Sequence, residues 1–185
     1  MDSALIALLA SVITIFLTNA LSLLSDQVRR RQKRKDFVLA LHAEITASLR
    51  DIALQTRQEE QAYSKADPDP FAVADETDFV FEAIREDLTL LPQQVIHSVV
   101  AYYKLAMQTN LLTTALRDPQ FVRQPSSSKT KYIESLLGLM EEQRRVGTFA
   151  RETLERHGRK LGLDLQQERE SLHRALARDV RRSDE

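Results

Sequence analysis

Apolar and polar positions divide the chain into runs of helical period separated by a few sharp breaks. From Ala4 to Leu24 there are 21 residues without a charge, rich in Leu, Ile, Ala, Val and Phe. At roughly 1.5 Å per residue, such a helix matches a hydrocarbon core of about 30 Å, so the run predicts a membrane-spanning helix. It exceeds the roughly 7–15 apolar residues of a signal-peptide core. No Lys or Arg precedes it and no small-x-small cleavage pattern follows, which predicts a retained anchor over residues 1–25. Phe37, Leu41, Ile45, Leu49 and Ile52 then repeat at helical spacing, with no Gly or Pro from Met1 to Asp67. That pattern predicts one rod from Ala4 to about Ser64. Asp67-Pro68-Asp69-Pro70 should end it, because a residue before proline disfavours the helical region.

Past a linker reaching about Asp75, Glu76 to Leu91 reads as a short helix with Phe81, Ile84, Leu88 and Leu91 on one face. Pro92 closes it and is well placed to open the next helix, to Leu116. There Val95, Ile96, Val99, Val100, Tyr103, Met107 and Leu111 form a wide apolar stripe, as expected of the most buried helix in a bundle. Asp118 to Ser128, with Pro119, Pro125 and three serines, reads as an exposed polar connection open to proteolysis. A helix from about Lys129 to Lys160 should bury Ile133, Leu136, Leu137, Met140, Phe149 and Leu154 and stop at Gly162 after a basic last turn. Asp164 with Gln167 resembles a capping box that opens a charged final segment. Leu165, Leu172, Leu176 and Val180 are its large apolar residues, which predicts weak packing. The predicted fold class is therefore all-α: a transmembrane anchor (1–25), a basic juxtamembrane collar (26–36), a cytoplasmic antiparallel helical bundle (37–163) and a charged C-terminal helix or tail (164–185).

Charge distribution adds a direction to this outline. Arg29, Arg30, Arg31, Lys33, Arg34 and Lys35 follow the apolar run directly, and clustered Lys and Arg stay on the cytoplasmic side of a membrane. The expected placement is a plasma (inner) membrane, single-pass, with the N-terminus outside. Anionic head groups would reward each collar cation by about 1 kcal/mol near the surface, which makes the lipid bilayer the first expected partner. From Asp36 onward the chain has 20 basic and 25 acidic residues, a net of -5, which disfavours nucleic acid as a partner. Within the span, Ala7, Ser11, Thr14 and Thr18, followed by Ser25, share one side of a helix. Such a row allows close helix approach and predicts a transmembrane association face. Asn19 is the one strongly polar side chain at depth, and no ionisable group suggests an ion pathway.

Chemistry is sparse. The chain has no cysteine, which excludes disulfides and thiol catalysis, and it has no Gly-rich phosphate loop, nucleophile elbow or His-Glu-x-x-His. His42, His97, His157 and His173 are far apart, whereas a metal site needs three or four convergent ligands. Only Glu170 to His173 has the Glu-x-x-His spacing of di-iron bundles, and it stands alone. Asp67-Pro-Asp-Pro lacks the oxygen ligands and turn glycine of a calcium loop. No cofactor is expected. If the chain is an enzyme, Glu82, Asp87 and His97 meeting between helices are the residues to carry it.

Leu90-Leu91-Pro92, with Val95-Ile96, Val99-Val100 and Tyr102-Tyr103, resembles a loose pattern in uncharacterised bacterial single-pass membrane proteins that have an N-terminal anchor and a small cytoplasmic helical domain. That resemblance covers about 15 residues specifically. It implies a bacterial inner-membrane location and transfers no catalytic residue. The functional expectation is a non-catalytic interaction or scaffold module with a protein partner or homo-oligomer. The alternatives are an oligomerising membrane effector of a bacterial defence or toxin system and an enzyme with an unrecognised site.

Overall fold

The computed structural model describes the backbone of residues 2–63, 79–116, 118–167 and 170, and the side chains of these except at 2–20, 54–55, 57–63 and 122. Its elements are all helical: α1 (Asp2–Tyr63), α2 (Phe79–Ile84) continued by a 3-10 turn (Arg85–Leu90), α3 (Gln93–Leu116), α4 (Pro119–Val122) and α5 (Ser126–Leu161). The absence of helix breakers lets α1 run unbroken for 62 residues, close to the rod expected from sequence. Among the described residues no helix is long and apolar enough to cross a membrane. The side chains of most of Ala4–Leu24, including Ala7, Ser11, Thr14 and Thr18, lie outside the described residues, as does Asp67-Pro-Asp-Pro. The described residues therefore give the expected anchor no support.

Helix α5 runs antiparallel to α1 and α3 and packs against both. Its end near Leu154 shares a core with Val38, Leu41 and Ile45 of α1, with Val95 and Val99 of α3, and with Ile84, Leu88 and Leu91 of the segment between them. A second cluster, of Ile52, Leu116, Phe121, Leu136 and Met140, closes the other end. Fully burying side chains of this size contributes roughly 1.5–3 kcal/mol each, so these two clusters hold the bundle together. The helices come close together at Gly147. A Cβ there would lie 2.8 Å from Leu49 Cδ2 and from the Tyr102 ring.

Several expectations change. The helix shared by both neighbours is α5, not α3: Val100, Met107 and Leu111 are 41%, 64% and 61% exposed. Helix α3 meets the bundle through Val95, Ser98, Val99, Tyr102, Tyr103 and Thr109, and the other side of its apolar stripe is left uncovered. Phe149, expected in the core, is half exposed, because Gly147, Ala150 and Leu154 occupy the inward face of α5. The helix expected over 76–91 is α-helical only at Phe79–Ile84 and then tightens into the 3-10 turn.

The connection at 118–128 is structured too. The Asp118 side chain accepts the N–H of Gln120 at 2.8 Å, Pro119 opens α4, and Phe121 is buried beside Tyr132. The three serines form the first turn of α5. At the far end of α5, Gly162 adopts φ 80°, the left-handed conformation that favours glycine. Gly162 N–H donates to the Arg159 carbonyl at 3.1 Å and Leu163 N–H to that of Gly158 at 2.9 Å, the paired bonds of a Schellman stop. The chain then turns back so that Leu165 reaches the core, where its side chain would lie 2.9 Å from a Cβ on Gly158. The core thus extends past the expected boundary at residue 163. Asp164 Oδ1 accepts the Gln167 N–H at 3.0 Å, as the capping pattern predicts.

Candidate functional site

Polar groups inside the bundle tie its elements together. Glu44 of α1 accepts the N–H groups of Val80 at 2.8 Å and Phe81 at 3.3 Å, and also the Tyr103 hydroxyl. It thereby satisfies two of the N–H groups that a helix start leaves unpaired and fixes α2 against α1. Phe81 stacks on Tyr103 with centroids 4.2 Å apart. One turn away, the Tyr102 hydroxyl donates to Ser48 Oγ at 2.6 Å. Burial raises the Tyr102 pKa above its ordinary value, more than the Ser48 and Gln143 hydrogen bonds lower it. His42 Nε2 lies 3.3 Å from Glu155 Oε1, both largely buried, with Arg151 Nε 3.9 Å from the same oxygen. Of these residues only Glu155 reaches a groove described below, and the contacts act as structural ties between α1, α3 and α5.

Surface chemistry concentrates at the end of the bundle where the collar enters. Antiparallel packing brings three things there: Lys33 and Arg34 of α1, the start of α3 and the last turns of α5. Lys33 Nζ pairs with Asp87 Oδ2 of the 3-10 turn at 2.7 Å and sits 5.6 Å from the Phe37 ring centroid. A groove of about 520 Å³ lies between the start of α3, at Pro92, Gln94 and Val95, and one face of α5. From α5 it is lined by Thr153, Arg156, His157, Arg159 and Lys160, and among the described residues no carboxylate lines it. Arg156 donates to Thr153 Oγ1 at 3.1 Å. His157 Nε2 is buried and has no hydrogen-bond partner among the described residues. Burial, Lys160 and Arg34 together hold the His157 pKa below its ordinary value.

A second groove, of about 330 Å³, carries Glu155 and Asp164 against Arg159 and so is not basic.

Of the collar residues, Arg29, Arg30, Arg31 and Arg34 are exposed, Lys33 is paired to Asp87, and Lys35 is half-buried. Part of the collar is thus held by the bundle. Glu82, Asp87 and His97 form no common site: Glu82 pairs with Arg85 at 3.3 Å, Asp87 pairs with Lys33, and His97 is exposed on α3. His173 lies outside the described residues, and no group of three or more metal-ligating side chains occurs among those described. Sequence reasoning treated Arg156, Arg159 and Lys160 only as a helix terminus. Nothing local in the sequence signals that the start of α3 and Arg34 come to the same place.

These features define an all-helical bundle with a basic groove at the end where its longest helix enters. Compared with protein-family models, curated proteins and solved structures, the chain matches none.

Proposed function

We propose that the chain is a non-catalytic interaction or scaffold module, tethered to a bacterial inner membrane by residues 4–24, with its bundle on the cytoplasmic side. The 21 uncharged residues and the basic collar behind them support the tether. The helical continuity of α1 would hold the bundle at a fixed place relative to the tether.

The observation that carries the interaction role is the uncovered apolar row on α3. Val100, Met107 and Leu111 stand at 41%, 64% and 61% exposure, spaced for one helix face with Lys104 between them. Large apolar side chains grouped on a surface mark contact sites when they are contiguous, and anchors of this kind carry most of the energy of an interface. The mass of the complex extracted in mild detergent tests this reading, with Met107→Glu and Leu111→Glu as comparison. We expect a defined complex for the parent chain and a monomer for the double variant, with unchanged thermal unfolding. A parent monomer, or a complex that survives both substitutions, would remove the interaction role.

The row at Ala7, Ser11, Thr14 and Thr18 supports a second reading, an effector that oligomerises through its membrane helix. The α3 substitutions would leave that oligomer intact, while Ser11→Leu with Thr18→Leu would dissolve it.

A further inference from the structure

We propose that the groove between the start of α3 and the end of α5 binds a phosphate-bearing anion, held by Arg156, Arg159 and Lys160 of α5 with Arg34 of α1 beside them. The charge balance is the first argument. Three cations line the groove, a fourth acts on His157 from α1, and among the described residues no carboxylate lines it. A dipole-compensating last turn accounts for Arg159 and Lys160 alone, because that effect fades within one turn. It does not account for Arg156, nor for the approach of Arg34 from another helix.

Backbone geometry is the second argument. Val95 and Ile96 donate the first bonds of α3 to the Pro92 carbonyl, at 2.9 and 3.0 Å. The preceding N–H groups, at Gln93 and Gln94, come before that first bond, and Gln94 lines the groove. A helix start beside several guanidinium and ammonium groups suits a tetrahedral anion, which accepts several charge-assisted hydrogen bonds at once. The third argument is His157. It is held mostly neutral among cations, with Nε2 buried and unpartnered among the described residues, and an anion in the groove would favour its protonated, donating form.

The phosphate could belong to a soluble compound or to a lipid head group. Arg34 lies roughly 15 Å along α1 from Leu24, and a head-group layer extends only about 5–7 Å past the hydrocarbon. A soluble phosphate compound therefore reaches the groove more readily. The proposal itself holds whether or not the chain is anchored.

The test is NMR of the His157 imidazole in the full chain, held in phosphatidylcholine nanodiscs or, if it stays in solution without lipid, in buffer alone. Inorganic phosphate is the soluble probe, and nanodiscs containing phosphatidylglycerol are the lipid probe. We expect a saturable shift and a higher titration midpoint for His157, with phosphate affinity reduced about tenfold or more in Arg156→Gln with Lys160→Gln. Both substituted side chains are exposed, and matching thermal unfolding would establish that the variant is folded. Arg159→Gln alone gives a second reading of the same loss. Arg144→Gln with Arg145→Gln, outside the groove, should bind as the parent does.

A response to inorganic phosphate assigns a soluble ligand, and a response confined to phosphatidylglycerol assigns a head group. No response to either probe would overturn the proposal, as would a response of equal strength in the groove variants.

Discussion

At Gly147 the three long helices meet, and the absence of a side chain there lets α5 approach α1 and α3 together. Leu49 could swing aside to admit a methyl group, but Tyr102 is almost fully buried and held by Ser48, so it yields less easily. Gly147→Ala should therefore destabilise the bundle by about 1–3 kcal/mol in urea unfolding. Gly138, with nothing within 4 Å of its added Cβ, should gain up to about 1 kcal/mol from the same substitution. Tyr102 also sets an alkaline limit. Its raised pKa means that the unfolded chain loses the phenolic proton first, so stability is full below about pH 10 and falls as pH rises past it. Tyr132 is raised by burial too and adds to the same limb. Tyr102→Phe should flatten the limb in part and cost about 1 kcal/mol at neutral pH, because Ser48 loses its partner. Sequence spacing placed Tyr103, and not Tyr102, in the apolar stripe of α3. The fixed point is Tyr102, because its hydroxyl finds Ser48, 54 residues away, and no local pattern encodes that pairing.

Among the elements, the long helices were the most legible, since α1, α3 and α5 follow from apolar periodicity and from the positions of Pro92 and Gly162. Their relative burial was less so. A stripe as wide as that of α3 reads as surrounded on all sides, but α1, α2 and α5 pack on one side of it, and Val100, Met107 and Leu111 remain exposed. Short elements were read least well. Phe121 is one aromatic in a polar stretch with no period to extend, so its burial in the second cluster depends on where α4 folds back. Phe121→Ala should cost about 3 kcal/mol, within the range for buried aromatics, and should open residues 118–125 to limited proteolysis that the parent chain resists. Equal cleavage of both chains would return that segment to the exposed connection its composition suggests.

For the whole molecule, the basic groove was not legible at all. Arg34, Gln94 and Lys160 are remote in sequence and become neighbours only through the antiparallel order of α1, α3 and α5. The sequence did carry the ordering of charge: an uncharged run, a collar, then a net acidic remainder. On that ordering rests the central claim, a bundle held at the cytoplasmic face of a membrane. The absence of cysteine allows a direct test with single-cysteine variants of an otherwise unlabelled chain. Ser3→Cys and Arg144→Cys, treated with a membrane-impermeant maleimide in intact cells from which the outer barrier has been removed, report the two sides separately. The account predicts labelling at residue 3 in intact cells and at residue 144 only after the membrane is opened. Labelling of both sites before opening, or release of the chain from membranes by alkaline carbonate, would contradict it.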